Sequence, residues 1–291
     1  MRLSVLIPTY NYDCHKLVET LHRQLPDDCE IIVLDDCSSD EDIKKQNRQV
    51  GALKNVTYKE EQVNQGRSRV RNHLTKLANG DYVLFIDCDA LVDNPEFLNN
   101  YIRLLPTKAV VCGSMEVPET MPSTKVSLRW KYERHFTLHK YTEKRNKSPW
   151  DNISTFNIMF PRKVALEHNF DESIRRYGYE DTLIGQELST AGIAVLHIDN
   201  PLIHNGMDTN EEYLCKTEQA LQTLYSIRYK VGRHSRLLVT YERLKCLHLA
   251  WLTKIWFNIM HNIMRRNLIN DNPSLLVFNI YKLGYYANIA R

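Results

Sequence analysis

The sequence lacks several features that would assign it to a familiar class. None of its apolar runs reaches the about 18 residues that a membrane-spanning helix needs, so we expect no transmembrane helix. Its seven cysteines form no CxxC pair and no metal-finger spacing, which favours reduced thiols in a cytosolic protein. The GxGxxG loop of dehydrogenases and the GxxxxGK[ST] loop of P-loop NTPases are also missing. No signal peptide is expected either, because "MRLSVLIPTYN" passes directly into a strand and a turn.

The charges of the 291-residue chain are unevenly distributed, although the net charge is only +3. Residues 225–291 contain 11 Lys/Arg and 2 acids, whereas residues 1–224 contain 27 Lys/Arg and 33 acids. We expect no nucleic-acid partner. The basic tail predicts either a segment that meets phosphate or lipid head groups or a solvated helical face.

Apolar runs alternate with amphipathic stretches over the first hundred-odd residues. Predicted strands cover 3–9, 30–36, 55–60, 82–89 and 109–115, and predicted helices cover 13–25, 38–50, 68–78 and 94–105. The helix at 38 is predicted from the capping-box spacing of "SSDE". This order predicts an α/β fold with a mostly parallel sheet flanked by helices, in which ligands lie beyond the carboxyl ends of the strands. Residues 141–152 are predicted to form a mobile loop.

The strand "YVLFI" ends in two carboxylates, Asp87 and Asp89, one residue apart. Two carboxylates at a strand end suit a hard divalent cation that also binds a phosphate-bearing ligand. The alternative is that such acids cap the next helix, but Asp93 and Asn94 are better placed for that purpose. The pair therefore favours a metal site.

Two other strand ends also carry suggestive residues. Asp35 and Asp36 follow the second strand, where one of them could accept a hydrogen bond from the imide of a uracil ring, or Asp36 could cap a helix. After the first strand, "PTYN" offers a fixed turn and the ring of Tyr10, on which a base could stack.

A basic stretch follows the third strand. "NQGRSRVRN" supplies a glycine turn and then Arg67, Arg69 and Arg71 near a helix start, a combination that favours an anionic ligand. A solvated basic helix is the alternative. Features suited to a base, a metal and an anion thus fall at one predicted sheet edge.

Together with "GYEDTLIGQEL", the segments "SVLIPTYN", "IIVLDDCSSD", "NQGRSRVRN" and "FIDCDA" resemble, in order and spacing, the family 2 glycosyltransferases of the GT-A fold. The resemblance covers roughly residues 2–206. It implies an inverting hexosyl- or N-acetylhexosaminyltransferase of polysaccharide biosynthesis that uses a nucleotide sugar, most often UDP-linked, with Mn²⁺ or Mg²⁺. Its acceptor would be a saccharide or a lipid-linked saccharide.

The resemblance also implies roles for individual residues. The base would be held by Pro8, Thr9, Tyr10 and Asp36, with Arg71 near the base or the diphosphate. Asp87 and Asp89 would bind ribose and metal, Asp181 would be the catalytic base, and Glu180 would orient the acceptor. His204 would complete the metal shell, although His197 competes on position.

Two rival functions share a similar fold. A sugar-1-phosphate nucleotidylyltransferase needs a glycine-rich basic segment after the first strand, where "PTYNYDC" contains neither glycine nor arginine. The other rival is a non-catalytic nucleotide-sugar-binding protein, which would have no use for a base such as Asp181.

The chain changes character near residue 210, which predicts a catalytic domain at 1–210 and a helical, basic, aromatic extension at 211–291. From Trp251 the apolar residues recur at 251, 252, 255, 256, 259, 260, 263 and 264. This stripe predicts either packing against the catalytic domain or a helix in a membrane interface. In the second case the protein would be peripheral on the cytoplasmic face of a membrane.

Overall fold

The computed structural model describes residues 2–139, 141–174 and 177–290, which divide into two compact units. The first, here the sheet unit, comprises residues 1–116, 140–175 and 184–206. The second, the helical unit, comprises residues 117–139, 176–183 and 207–291. The helical unit thus takes in two earlier segments besides the predicted extension.

An eight-stranded sheet forms the centre of the sheet unit. Its strands are β1 (Leu3–Thr9), β2 (Cys29–Asp35), β3 (Val56–Glu60), β4 (Tyr82–Ile86), β5 (Ala90–Leu91), β6 (Val110–Glu116), β7 (Asn157–Pro161) and β8 (Val195–His204), in the order β3-β2-β1-β4-β7-β6-β8-β5. Most neighbours are parallel, but β7 runs antiparallel to β4 and β6, and β5 to β8. The predicted mostly parallel α/β sheet is confirmed.

Twelve α-helices accompany the strands in the part of the chain that the structure describes. They are α1 (His15–His22), α2 (Glu41–Arg48), α3 (Arg67–Leu77), α4 (Phe97–Ile102), α5 (Ser127–His139), α6 (Thr142–Asn146), α7 (Arg162–Glu167), α8 (Glu180–Thr190), α9 (Asn210–Val231), α10 (Arg236–Cys246), α11 (Ala250–Ile269) and α12 (Leu275–Ile289).

Both faces of the inner strands β1, β2 and β4 are covered, which explains why these three strands are largely apolar. Val5 on one face packs in the same cluster as Leu21 of α1, whereas Leu6 on the other packs with Val70 and Leu74 of α3. Polar side chains are consequently displaced to the strand ends, where they can form a site.

Two local predictions are wrong. The helix after β2 begins at Glu41, and its N-cap is Asp40, whose carboxylate accepts from the amides of Asp42 and Ile43; Ser38 caps nothing. The stretch 141–152, predicted as a mobile loop, contains α6. Arg145 of α6 is buried, and its guanidinium donates to the carbonyl oxygens of Gly113 and Ile198, which fixes the segment to the sheet.

An aromatic core holds the helical unit together. Leu128 of α5, Tyr213 of α9, Phe257 of α11 and Phe278 of α12 belong to one buried cluster. α9 begins with a capping box in which Thr209 and Glu212 satisfy each other's backbone amides. Among the described residues, no helix combines the length and the apolar character that a membrane crossing demands.

Candidate functional site

The loop after β1 presents a side chain suited to stacking on a base. Thr9 is buried and donates from Oγ1 to the carbonyl of Tyr12, 3.0 Å away, while Tyr10 is 50% exposed. Asn11 has a left-handed φ of +48°, and its side-chain oxygen accepts from the amide of Ser39 at 2.8 Å. The loop is therefore fixed against the end of β2, with the ring of Tyr10 facing solvent.

The two acids after β2 have different surroundings. The carboxylate of Asp35 accepts from the amide and hydroxyl of Ser38 at 2.6 and 2.7 Å, which is a turn-forming role. Asp36 accepts from the amides of Gln65 and Gly66, just before α3, at 2.6 and 2.9 Å. Burial raises the pKa of Asp36, and these two hydrogen bonds oppose the shift. Asp36 therefore links the end of β2 to the start of α3 at the edge of the predicted site.

Arg71 is the arginine of α3 that reaches the acids after β4. It is 2% exposed, its Nη2 lies 2.5 Å from Oδ1 of Asp87, and its guanidinium carbon lies 5.9 Å from the ring centre of Phe170. Arg69 instead pairs with Glu172 at 3.3 Å. The predicted arginine cluster thus contributes Arg71 to the strand-end acids, whereas Arg69 is directed elsewhere.

Asp89 and His204 are brought together by a short strand pair. Ala90 of β5 pairs with His204 at the end of β8, and Oδ2 of Asp89 lies 3.1 Å from Nε2 of His204. The backbone carbonyl of Asp89 also accepts from the amide of Asn205 at 3.0 Å. A Cβ atom at Gly206 would lie 2.4 Å from Oδ2 of Asp89, so only glycine leaves this carboxylate its place.

His197, the competing histidine, has a structural environment. Its ring is buried, with Nε2 2.9 Å from the carbonyl of Pro149 and Nδ1 3.3 Å from Nη1 of Arg145. It therefore anchors the α6 segment, and His204 is the histidine beside an acid of the predicted site.

The chemistry of this donor set fits a divalent cation. A carboxylate oxygen of Asp89 and the imidazole of His204 are ligand types that Mn²⁺ accepts. Asp87 lies two residues before Asp89, at the end of β4. Among the described residues, no three His, Cys, Asp or Glu side chains are already grouped as a metal site. A cation held here would need further oxygen atoms from a ligand, as Mg²⁺-type sites take from substrate phosphates.

Tyr12 belongs to this neighbourhood although no pattern in the sequence singles it out. Burial, and then the negative charge of Asp89, raise the pKa of its hydroxyl to about 12. Residues 12 and 89 are near each other because β1 pairs with β4. The strand order of the sheet reverses between these two strands, and ligands commonly bind at such a position. Only the sheet order could have revealed this proximity.

Glu180 and Asp181 form the first turn of α8 and are grouped with the helical unit. Glu180 accepts from the amide of Gly178 at 3.0 Å. Gly178 has a φ of +108°, and a Cβ atom there would lie 2.7 Å from Cβ of Ala220 in α9. The glycine is thus explained by its backbone conformation and by close packing on α9.

Comparison with known proteins places the chain among glycosyltransferases. A family model described as glycosyl transferase family 2 matches residues 4–168, more than half of the chain. TarS of Staphylococcus aureus, a poly(ribitol-phosphate) beta-N-acetylglucosaminyltransferase, is 32% identical over 134 residues, which are 42% of this chain and 23% of TarS. The chain spans about half or less of the length of the curated relatives that it matches.

Solved structures support the same fold. The mannosyltransferase PcManGT from Pyrobaculum calidifontis, crystallised with GDP-Man and Mn²⁺, has a TM-score of 0.61 at 16% identity and covers 99% of this chain and 87% of its own. Residues 1–349 of TarS with UDP-GlcNAc give a TM-score of 0.54 at 16% identity, covering 99% and 90%. The GT-A fold is confirmed, and the family match disfavours a nucleotidylyltransferase. The chain belongs to glycosyl transferase family 2.

Proposed function

We propose that this glycosyltransferase is an inverting enzyme that moves a sugar from a UDP-sugar to a hydroxyl of a saccharide or a lipid-linked saccharide. One observation carries the proposal: Asp36, the Arg71–Asp87 pair and the Asp89–His204 pair all follow carboxyl ends of strands in one sheet, or lie beside them. An acidic residue for the base, a buried cation and a metal-type donor pair suit the three parts of a nucleotide diphosphate.

The donor class is supported by what similar proteins bind. TarS is crystallised with UDP-GlcNAc and PcManGT with GDP-Man and Mn²⁺, so two nucleotides are represented among these folds. In this chain the exposed ring of Tyr10 offers a stacking surface. The carboxylate of Asp36, which already accepts from the amides of Gln65 and Gly66, would also accept from the imide N–H of uracil. GDP-linked donors are therefore the comparison that tests the UDP assignment.

Asp89 and His204, with Asp87, would hold Mn²⁺ or Mg²⁺. Such an ion, when bound, stabilises the negative charge of the departing diphosphate. Arg71 adds a permanent positive charge beside Asp87. Asp181 takes the proton of the acceptor hydroxyl as its oxygen attacks the anomeric carbon, and Glu180 orients the acceptor. Attack from the face opposite the leaving group inverts that carbon.

The decisive experiment measures UDP release from a panel of UDP-sugars and GDP-mannose with Mn²⁺, comparing wild type with Asp181→Asn. Loss of the base should lower turnover by about 10²–10⁴-fold. Asp27→Asn is the matched control, because this exposed acid precedes β2 at the opposite edge of the sheet. Thermal shift by UDP and Mn²⁺ should persist in both variants, since ligand binding stabilises the folded state.

A nucleotide-sugar-binding protein without catalytic activity is the second candidate. Donor binding in the wild type with no turnover of any donor, in the presence of saccharide acceptors, would favour it. Equal turnover by wild type and Asp181→Asn would remove Asp181 from the base role while leaving the donor site intact.

A further inference from the structure

Helix α11 of the helical unit is apolar on two sides, and only one of them is buried. Phe257, Met264 and Leu268 point into the aromatic cluster shared with α9 and α12. These three positions account for the packing of the helix. Phe257 and Leu268 do not belong to the apolar stripe predicted from the sequence. Within that stripe, Met264 alone is buried.

Apart from Met260, which is partly buried against the same cluster, the rest of the stripe forms what we call the outer face of α11. Its residues, each 42–70% exposed, are Trp251, Leu252, Ile255, Trp256, Ile259 and Ile263. Trp251, Ile255, Ile259 and Ile263 recur every four residues, so they form a continuous row along the helix. Scattered exposed apolar side chains are ordinary on protein surfaces, but a continuous row of this kind marks an interaction surface.

The turn before α11 extends the same apolar character. Leu247 is 66% exposed, and Leu249 is also exposed, on either side of His248, which has a left-handed φ of +57°. The exposed apolar residues therefore begin four positions before Trp251. Together they form a long, narrow strip rather than a compact pocket.

The charges around the outer face have one sign. No acidic residue occurs from Arg243 to Asn270. Arg243, Lys245, Lys254 and Arg266 are exposed, and within the described residues none of these four has an ion-pair partner. The neighbouring Arg265 differs, because it pairs with Glu211 and Glu218 of α9.

The charge pattern favours an anionic lipid bilayer over a second copy of the chain as the partner of the outer face. A symmetric contact with a second copy of the chain would place these cations against one another with no acid from the same stretch to pair with, and lysine is depleted from protein interfaces. A lipid bilayer with anionic head groups offers negative charge and an apolar layer directly beneath it. Tryptophans and long cationic side chains are typical of helices that lie at that boundary.

We propose that the outer face of α11 binds the chain to the interfacial region of an anionic lipid bilayer, with the helix lying parallel to the surface. Trp251 and the isoleucine row enter the boundary between head groups and acyl chains, while Lys254 and Arg266 contact lipid phosphates. This binding needs neither donor nor acceptor, so it stands or fails independently of the catalytic proposal.

The test is co-sedimentation of the full chain with vesicles of phosphatidylcholine alone or of equimolar phosphatidylcholine and phosphatidylglycerol. We expect binding to the anionic vesicles. Ile255→Ser/Ile259→Ser/Ile263→Ser should weaken it by about 100-fold, since each apolar side chain loses its burial. Lys254→Gln/Arg266→Gln should weaken it by about fivefold per charge. Leu196→Ser/Tyr229→Ser, two exposed apolar residues elsewhere, should bind like wild type.

A second measurement uses unmodified protein. Trp251 and Trp256 are exposed, whereas the indole nitrogens of Trp130 and Trp150 donate to the carbonyls of Pro118 and Ile193 within their own units. Lipids brominated in the acyl chain should therefore quench fluorescence from the α11 pair, and the triple serine variant should lose that contact-dependent quenching.

Three results of the vesicle experiments would overturn the proposal. They are wild-type protein that stays in the supernatant with anionic vesicles, a triple variant that binds as well as wild type, and quenching that is absent on vesicles. A wild-type mass of two chains that the triple variant restores to one would overturn it as well, because a second copy would then cover the face.

Discussion

The two units of this glycosyltransferase differ in how their sequence relates to their surface. In the sheet unit both faces of the inner strands β1, β2 and β4 are covered, so an apolar run there means burial and a polar residue at its end is a candidate for a site. In the helical unit α11 carries apolar residues on opposite sides, and the sequence alone does not say which side is inside. The sequence pattern therefore indicates where a site lies in the sheet. In a helix with two apolar sides, the pattern does not tell which side is buried.

The largest expected effect comes from changing the Asp89–His204 pair of the sheet unit. Asp89→Asn removes a charge beside His204 while keeping the side-chain shape, so UDP release should fall by about 10²–10³-fold. The metal-dependent thermal shift by UDP should also be lost. Asp81→Asn, at the opposite end of β4, is the control and should leave both readouts unchanged. Retention of the metal-dependent shift in Asp89→Asn would contradict the assigned site.

A second experiment compares packing in the two units through their glycines. In the helical unit, a Cβ atom at Gly284 of α12 would lie 2.4 Å from Cδ2 of the buried Phe257. Gly284→Ala should therefore lower the free energy of unfolding by about 1–3 kcal/mol, despite the better helix propensity of alanine.

The sheet unit supplies the matched substitution for this comparison. At Gly51 the same added atom meets only Cβ of Tyr58, at 3.8 Å, so Gly51→Ala should be neutral or stabilising by up to about 1 kcal/mol. Urea denaturation measures both. Equal stability of the two variants would show that α11 and α12 can separate at no cost.

The smallest effect concerns a buried cation in the helical unit. Burial lowers the pKa of Lys282 to about 8, although its ammonium lies 4.6 and 4.5 Å from the ring centres of Tyr132 and Phe278. Between pH 8 and the ordinary pKa of about 10.4 the unfolded chain binds more protons than the native one, so the contribution of Lys282 to stability rises with pH. Below pH 8 both states are charged, and the full cost of burying the charge remains.

Lys282→Met should remove this pH dependence and stabilise the protein at pH 7 by about 1 kcal/mol, which is the burial cost less the attraction of the two rings. Denaturation at pH 7 and pH 9.5, compared with wild type and with Lys16→Met on the exposed side of α1, measures it. A variant less stable than wild type at pH 7 would mean that the ring contacts outweigh the cost of burial.

Most of the fold was predictable because strand burial leaves a direct trace in the sequence. β1 was predicted as observed, and β4 ends where the carboxylates begin. The structure of segment 141–152 was not predictable, because α6 is fixed by the charged residue Arg145. Its burial depends on the backbone carbonyls of Gly113 and Ile198, which are distant in the sequence. Of the candidate site, the residues at strand ends were predictable, whereas the proximity of Tyr12 to the charge of Asp89 depends on strand order, which no local pattern contains.

The two-residue strand β5 has a consequence for how the site can vary. Its pairing with the end of β8 fixes the backbone spacing of Asp89 and His204 through main-chain hydrogen bonds, and Gly206 leaves room for the Asp89 carboxylate. Substitutions that change the outward-facing surface there, such as at the exposed Leu91, leave that spacing untouched. Acceptor preference could thus diverge around this strand while Asp89 and His204 keep their register.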